Sequence, residues 1–347
     1  MSSGGKSVGE GAYSCIFSPP LMCKDKPKQI TNPSDDLTYS KLITTKYANI
    51  EFLISKKISK IPLWKNYFVI SESICSPDKQ TDKNINKCDV LDNHKLSDFK
   101  ILKMPFGGMP FNRYTFHLES FDFMTFVKHL IEAGCLLNLF GIVHRDIHKG
   151  NILIDNDVPR IIDFNLSILV EDIKENKTVP LHSYSVESSQ EPPDSTIVNG
   201  VSLGYKSDKI IESIILKNLI ITRIVNILDV SREDMLKSIQ LFYYKNKDSK
   251  ASNNTEWFKN YWRTIDSWAI GANILSLIND FSLSPTFSNT INIHKNKLFP
   301  MLKKLCAVSP NERIDCIQAL NYLDPNNFII KKYAKSWLNV VGNGNII

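Results

Sequence analysis

The octapeptide His144-Arg145-Asp146-Ile147-His148-Lys149-Gly150-Asn151 restricts what this chain can fold into more than any other stretch. It is polar, and it lies between a long apolar helical period over residues 120–140 and two short strand-like runs, 152–154 and 160–162. A polar loop held between regular elements is a common place for chemistry. Asp163-Phe164-Asn165 follows the second run, so a second carboxylate returns 17 residues after Asp146. The residue types suit one kind of reaction. Asp146 can accept the proton of a substrate hydroxyl. Asn151 and Asp163 offer hard oxygens of the kind that Mg²⁺ takes while it is bound to ATP phosphates.

His-Arg-Asp-x-x-x-x-Asn followed by Asp-Phe-Gly is the signature of protein kinases, and this chain resembles it closely. Two departures stand out. Asn165 replaces the glycine of the second motif; Asn tolerates positive φ, so the turn can survive. His148 stands where Ser/Thr kinases usually carry a lysine, and Lys149 comes one residue later. Near the N-terminus, Gly9-x-Gly11-x-x-Ser14-x-Ile16 resembles the kinase glycine-rich loop, with Ser14 for its third glycine. Glycines there let backbone N–H groups approach a phosphate. The resemblance implies that Val8, Gly9, Gly11 and Ile16 cover ATP. It implies a strand lysine, Lys41, that holds the phosphates and is braced by Glu51 from the helical run 47–58. Lys46 and Glu72 remain open as alternatives for that pair. Residues 101–111 resemble the hinge strand, where apolar residues line an adenine slot and backbone groups between Met104 and Phe106 meet its edge.

Two later motifs support the resemblance. Asp266-Ser267-Trp268-Ala269-Ile270-Gly271 matches Asp-x-Trp-x-x-Gly, whose Asp braces the catalytic-loop backbone in the family. Pro310-Asn311-Glu312-Arg313 matches Pro-x-x-Arg, whose Arg pairs with the Glu of Ala-Pro-Glu; Pro192-Pro193-Asp194 resembles that element with a shorter acid. Arg145 and Arg313 are two of only 7 Arg, against 35 Lys, and both fall where a planar, always-charged group is wanted. The resemblance covers about residues 8–325. The compact Ser/Thr kinases of large cytoplasmic DNA viruses carry similar departures, including a glycine loop running into Ser-Pro-Pro, and this chain resembles them.

The expected fold class is α+β and two-lobed. A β-rich N-lobe spans 1–106 and a larger helical C-lobe spans 107–347. Strands are expected at 8–17, 37–44, 67–74 and 99–104. Ile50, Leu53, Ile54 and Ile58 mark the buried face of a helix. Ser231 with Asp234 three residues later caps a helix over 232–244. The interval from Asp194 to Asp266 is longer than familiar kinases need, and implies a helical insertion near 200–262. Residues 245–255 read as a loop.

Composition narrows the partners. An apolar fraction of 43% excludes a wholly disordered chain. A net charge of +6 over 347 residues is diffuse and gives no reason to expect nucleic acid. The most apolar stretch, 210–228, is interrupted by Glu212, Lys217, Asn218 and Arg223, so it reads as packed helix rather than a membrane span. The 7 Cys are odd in number and form no metal-ligand spacing. They read as reduced thiols of a cytoplasmic protein, in a host cell or a virion.

The resemblance therefore implies a Ser/Thr protein kinase that moves the γ-phosphoryl of Mg·ATP to a protein hydroxyl. Asp146 acts as base, Asn151 and Asp163 hold Mg²⁺, and Lys41 with Glu51 holds the phosphates. A phosphate on Thr178, Ser183, Ser185, Ser188 or Ser189 would meet Arg145. Two other readings stay open: a small-molecule kinase of the aminoglycoside or choline type, and a pseudokinase scaffold that binds ATP without turnover.

Overall fold

A computed structural model of the chain describes residues 6–11, 14–30, 37–79, 85, 88–92, 94–175, 177, 179, 184–247 and 253–344. Its architecture is α+β, with a small antiparallel sheet and a mostly helical remainder. Contacts divide the chain into two units. One comprises Met1–Met109, Leu153–Asp155 and Arg160–Ser167, and the other Pro110–Ile152, Asn156–Pro159 and Ile168–Ile347.

The first unit is built on six strands: β1 (Lys6–Gly11), β2 (Ser14–Ser18), β3 (Lys28–Gln29), β4 (Leu37–Thr44), β5 (Ser73–Cys75) and β6 (Phe99–Pro105). Their order is β1-β2-β4-β6-β5-β3, and α1 (Thr45–Ile58) follows β4 directly. Side chains alternate between the two faces. One face carries Cys15, Phe17, Leu42, Cys75, Phe99 and Ile101, packed together. The other carries Ile43, Ile74 and Leu102, packed against Ala48 and Phe52 of α1. Full burial of each large apolar side chain contributes about 1.5–3 kcal/mol, so both faces are firmly specified. Register then decides where Lys41 goes. Ile16 lies opposite Lys41 on one side, and Leu102 lies opposite it on the other. A slip of one residue would turn Lys41 to the wrong face.

Three expectations need correction in this unit. The strand expected at 67–74 is regular only over Ser73–Cys75. Before it, Phe68 makes an isolated parallel bridge to Ile161, and the Val69 N–H donates to the Ile161 carbonyl at 3.1 Å. The inward face of α1 is Ala48, Glu51, Phe52, Ile54, Ser55 and Ile58, while Leu53 is exposed. A buried Glu and Ser interrupt the apolar period, and so hide that face from sequence. The thiol expectation fails for four cysteines: Cys15 pairs with Cys88, and Cys23 with Cys75. The partners are 73 and 52 residues apart, so no local spacing announces them. Cys135, Cys306 and Cys316 are free and buried.

The second unit holds the remaining helices: α2 (Phe123–Leu139), α3 (Val170–Lys174), α4 (Pro193–Ser202), α5 (Ser207–Lys217), α6 (Leu219–Leu228), α7 (Arg232–Asn246), α8 (Asn254–Tyr261), α9 (Ile265–Asp280), α10 (Pro285–Leu305), α11 (Cys316–Leu323) and α12 (Lys335–Val341). Its core is α9, buried from Ile265 through Ile278. Gly134 of α2 permits close approach: a Cβ there would come within 2.5 Å of Cys316 Sγ and of Ile270 Cδ1. The cap expected at Ser231 is made, with its Oγ accepting from the Glu233 and Asp234 N–H groups at 3.1 and 3.4 Å. The apolar stretch 210–228 is two helices broken at Asn218. Among the described residues, no helix is long and apolar enough to cross a membrane. Of the loop expected at 245–255, residues 248–252 lie outside the described set.

Candidate active site

The first unit gathers three of the expected residues. Lys41 Nζ donates to Glu51 Oε2 at 2.8 Å and to Asp163 Oδ1 at 2.6 Å. The competing lysine, Lys46, is solvent-exposed and lies over the Tyr47 ring. Glu51 is held from a second side, because Ser71 Oγ donates to its Oε1 at 3.0 Å. Burial alone works against the Lys41 ammonium, but Asp163 and Glu51 outweigh it and keep its pKa above the ordinary value. Burial pushes the Glu51 carboxyl up, Lys41 pulls it down and Asp163 pushes it up again; the net direction is upward.

The backbone of Asp163 turns its side chain toward Lys41. Its φ is 66°, in the left-handed region, whereas Asn165 has no positive φ. The permissive residue expected at 165 is therefore not where the turn bends. Phe164, 1% exposed, anchors the turn by meeting Phe68 edge-on at 6.0 Å. The expected nucleotide loop is the β1–β2 hairpin. Gly9 pairs with Ile16, Gly11 with Ser14, and Val8 falls at the register shift between Ser7 and Gly9. Residues 12–13 at its tip lie outside the described set. The buried run of β6 ends at Leu102; Met104 is half-buried, while Phe106 is exposed and stacks on Tyr39 at 6.0 Å.

The second unit gathers the other two. The loop 144–151 is held by its backbone. Asp266 Oδ2 accepts from the His144 N–H at 2.7 Å, and its Oδ1 from the Arg145 N–H at 2.9 Å. Asn273 Nδ2 donates to the Ile147 carbonyl at 3.0 Å. Arg145 takes a left-handed φ of 72° and lies 5.2 Å over the Phe258 ring. Burial lowers its pKa to about 10, against the opposing pull of Glu191, Asp266 and Asp146.

Asp146 stands in a ring of donors. Gln190 Nε2 donates to its Oδ1 at 3.1 Å, and Asn151 Nδ2 to its Oδ2 at 3.1 Å. His148 Nδ1 accepts from the Gly150 N–H at 3.0 Å, which turns Nε2 toward Asp146, 3.7 Å from its Oδ2. A Cβ on Gly150 would come within 2.7 Å of that ring, so glycine is needed to seat it. Burial pushes the Asp146 carboxyl up, but His148, His144 and Gln190 together hold it below the usual range. Asp146 is thus ionised at neutral pH and can accept a proton.

The Asn151 amide nitrogen also donates to the Asp146 carbonyl at 3.0 Å. With its nitrogen so engaged, Asn151 has Oδ1 as its remaining acceptor. Among the described residues, no group of three or more His, Cys, Asp or Glu could hold a metal. An amide oxygen is a hard donor of the kind that Mg²⁺ accepts.

Sequence reasoning missed Ser71, Asn273 and Gln190. Each is an isolated polar residue with no motif, and its role depends on a partner 20 to 126 residues away. The expected ion pair is made: Arg313 binds Asp194, both side chains fully buried, and Trp257 Nε1 donates to the other Asp194 oxygen at 3.0 Å.

No protein-family model matches the chain. A 52-residue stretch is 48% identical to a protein kinase and PP2C-like domain-containing protein of Oryza sativa subsp. japonica. That stretch is 15% of this chain and 8% of the rice protein, so the likeness is partial and points to a kinase-like relationship.

Proposed function

We propose that this chain is an ATP-dependent protein kinase acting on Ser or Thr hydroxyls. The observation that carries the reading is the bonding of Lys41 to two carboxylates 10 and 122 residues away, Glu51 and Asp163. A buried lysine so held is a fixed point charge for a phosphate, and the loop bearing Asp146 and Asn151 supplies the complementary chemistry.

Asp146 orients the acceptor hydroxyl and takes its proton. Asn151 and Asp163 are each proposed as Mg²⁺ ligands, and Lys41 binds the ATP phosphates. The β1–β2 hairpin with Val8, Gly9, Gly11 and Ile16 covers the nucleotide, and the backbone from Met104 to Phe106 meets its base. Mg²⁺, when bound, neutralises charge on the phosphate oxygens. The protein's own contribution is positioning, which can supply several powers of ten in rate. The acceptor is a protein rather than nucleic acid, in keeping with the diffuse charge. With that reading goes a place in the cytoplasm or a virion.

The test uses the full chain and Asp146→Asn, each with Mg·ATP and casein, with phosphosites read by mass spectrometry. Phosphate on Ser or Thr with the parent chain, and at least ~10²-fold less with Asp146→Asn, is the expected result. Transfer to a small alcohol without protein labelling would replace this reading with the small-molecule kinase. ATP binding without any transfer would replace it with the scaffold.

A further inference from the structure

The helical insertion supplies a polar clamp. Asn218, between α5 and α6, is 3% exposed. Its Oδ1 accepts from the Ile220 N–H at 2.9 Å and caps α6. That orientation turns Nδ2 to the other side, where it donates to the Val186 carbonyl at 3.1 Å and the Ser188 carbonyl at 3.0 Å. The next carbonyl, Ser189, accepts from Trp268 Nε1 at 3.1 Å. The residue after that is Gln190, which donates to Asp146. An ionised carboxylate accepts only, so the amide must present its nitrogen there. Ser189 Oγ donates to Gln190 Oε1 at 3.4 Å and favours the same orientation.

Residues 186–190 are therefore fastened by four bonds from uncharged side chains, and the last of them ends on the base. The cation that a phosphate in this segment was expected to meet, Arg145, is 5% exposed, and its charge is opposed by Glu191 and Asp266.

We propose that Asn218 and Gln190 are positioning residues that set segment 186–190 against Asp146 without any phosphate on the segment. Asn218 fixes the backbone, and Gln190 holds the Oδ1 oxygen in place for the acceptor hydroxyl. The proposal rests on the phosphotransfer reading, and it gives the insertion a role in that reaction.

The experiment has a kinetic arm and a structural arm. Asn218→Asp keeps an acceptor to cap α6 but loses both donated bonds. Asn218→Asp and Gln190→Ala are each expected to lower kcat about 10- to 100-fold, with KM for ATP within about twofold, because misplacement costs rate rather than nucleotide binding. The double variant is expected within about threefold of the slower single one, because Asn218 acts through Gln190. Phosphatase-treated parent chain, verified phosphate-free by mass spectrometry, is expected to keep its rate. In hydrogen exchange, Asn218→Asp is expected to lose protection at 186–190 while α6 keeps it. Loss of activity on phosphatase treatment, additive effects in the double variant, or unchanged protection at 186–190 would each overturn the proposal. If the parent chain transfers no phosphate at all, the phosphotransfer reading fails, and the exchange arm still decides whether the clamp exists.

Discussion

Lys41→Met tests the electrostatic design of the first unit. In the native chain, the ammonium lies within 2.8 Å of Glu51 and 2.6 Å of Asp163, and Lys41 and Glu51 are each 3% exposed. Removing the cation leaves a buried carboxylate beside another carboxylate. Breaking a buried pair in this way costs about 3–5 kcal/mol. For a chain of this size that lowers Tm by roughly 4–7 °C. The loss depends on pH. Glu51 already has a raised pKa, and Lys41 is the strongest influence lowering it. Without Lys41 the folded pKa rises further, while the unfolded one does not change. A carboxyl raised on folding contributes stability that is present at low pH and lost as pH rises toward the folded value. The deficit should therefore be large at pH 8.5 and much smaller at pH 5.5, where Glu51 can take a proton. Thermal unfolding followed by circular dichroism at the two pH values measures this. Lys41→Met/Glu51→Gln should recover most of the loss, because it removes the orphaned charge. Equal deficits at both pH values, with no recovery in the double variant, would refute the reasoning.

The other predictions use the second unit and the disulfides. Burial raises the Glu191 carboxyl to about 7, against the lowering pull of Ser195, Arg145 and Asn199. The folded state thus holds that proton more tightly than the unfolded chain between pH 4.5 and about 7, so stability should fall by ~3 kcal/mol as pH rises through that window. Glu191→Gln should remove that fall, as read from denaturant midpoints. Arg313→Met strands the buried Asp194 charge and should cost about 3–5 kcal/mol; Arg313→Met/Asp194→Asn should be the more stable of the two variants in a melting assay. Thiol titration of unfolded protein should count three groups without reductant and seven after reduction. Reduction should also cost about 4 kcal/mol from reopening the 73-residue Cys15–Cys88 loop.

Much of the site was legible because its chemistry is written in short windows. Asp146, Asn151 and Asp163 fall within 18 residues, and Asp266 and Arg313 sit in motifs whose partners could be named beforehand. The Lys41–Glu51 pair could be read because a strand and the helix after it bring neighbours in sequence together. Three things were hidden. The inward face of α1 was obscured because its central residue, Glu51, is charged. The disulfides were hidden because strand pairing, not spacing, brings their sulfurs together. Gln190 and Asn218 were hidden because amides carry no distinguishing pattern until the backbone puts a carboxylate or a carbonyl in front of them.

The sequence by itself determined which side chains can accept a proton, carry fixed charge or offer hard oxygen, since those are properties of the residue types. It also determined the regular elements wherever apolar periodicity is unbroken, as over α2 and β6. Tertiary structure alone decided which charges are opposed and which donors each carboxylate faces. Register put Lys41 on the face that meets α1, and the break between α5 and α6 brought Asn218 to the segment that ends on Asp146. Those outcomes depend on distances between residues tens to more than a hundred positions apart. Burial sets the strength of each interaction, and only the folded chain fixes burial.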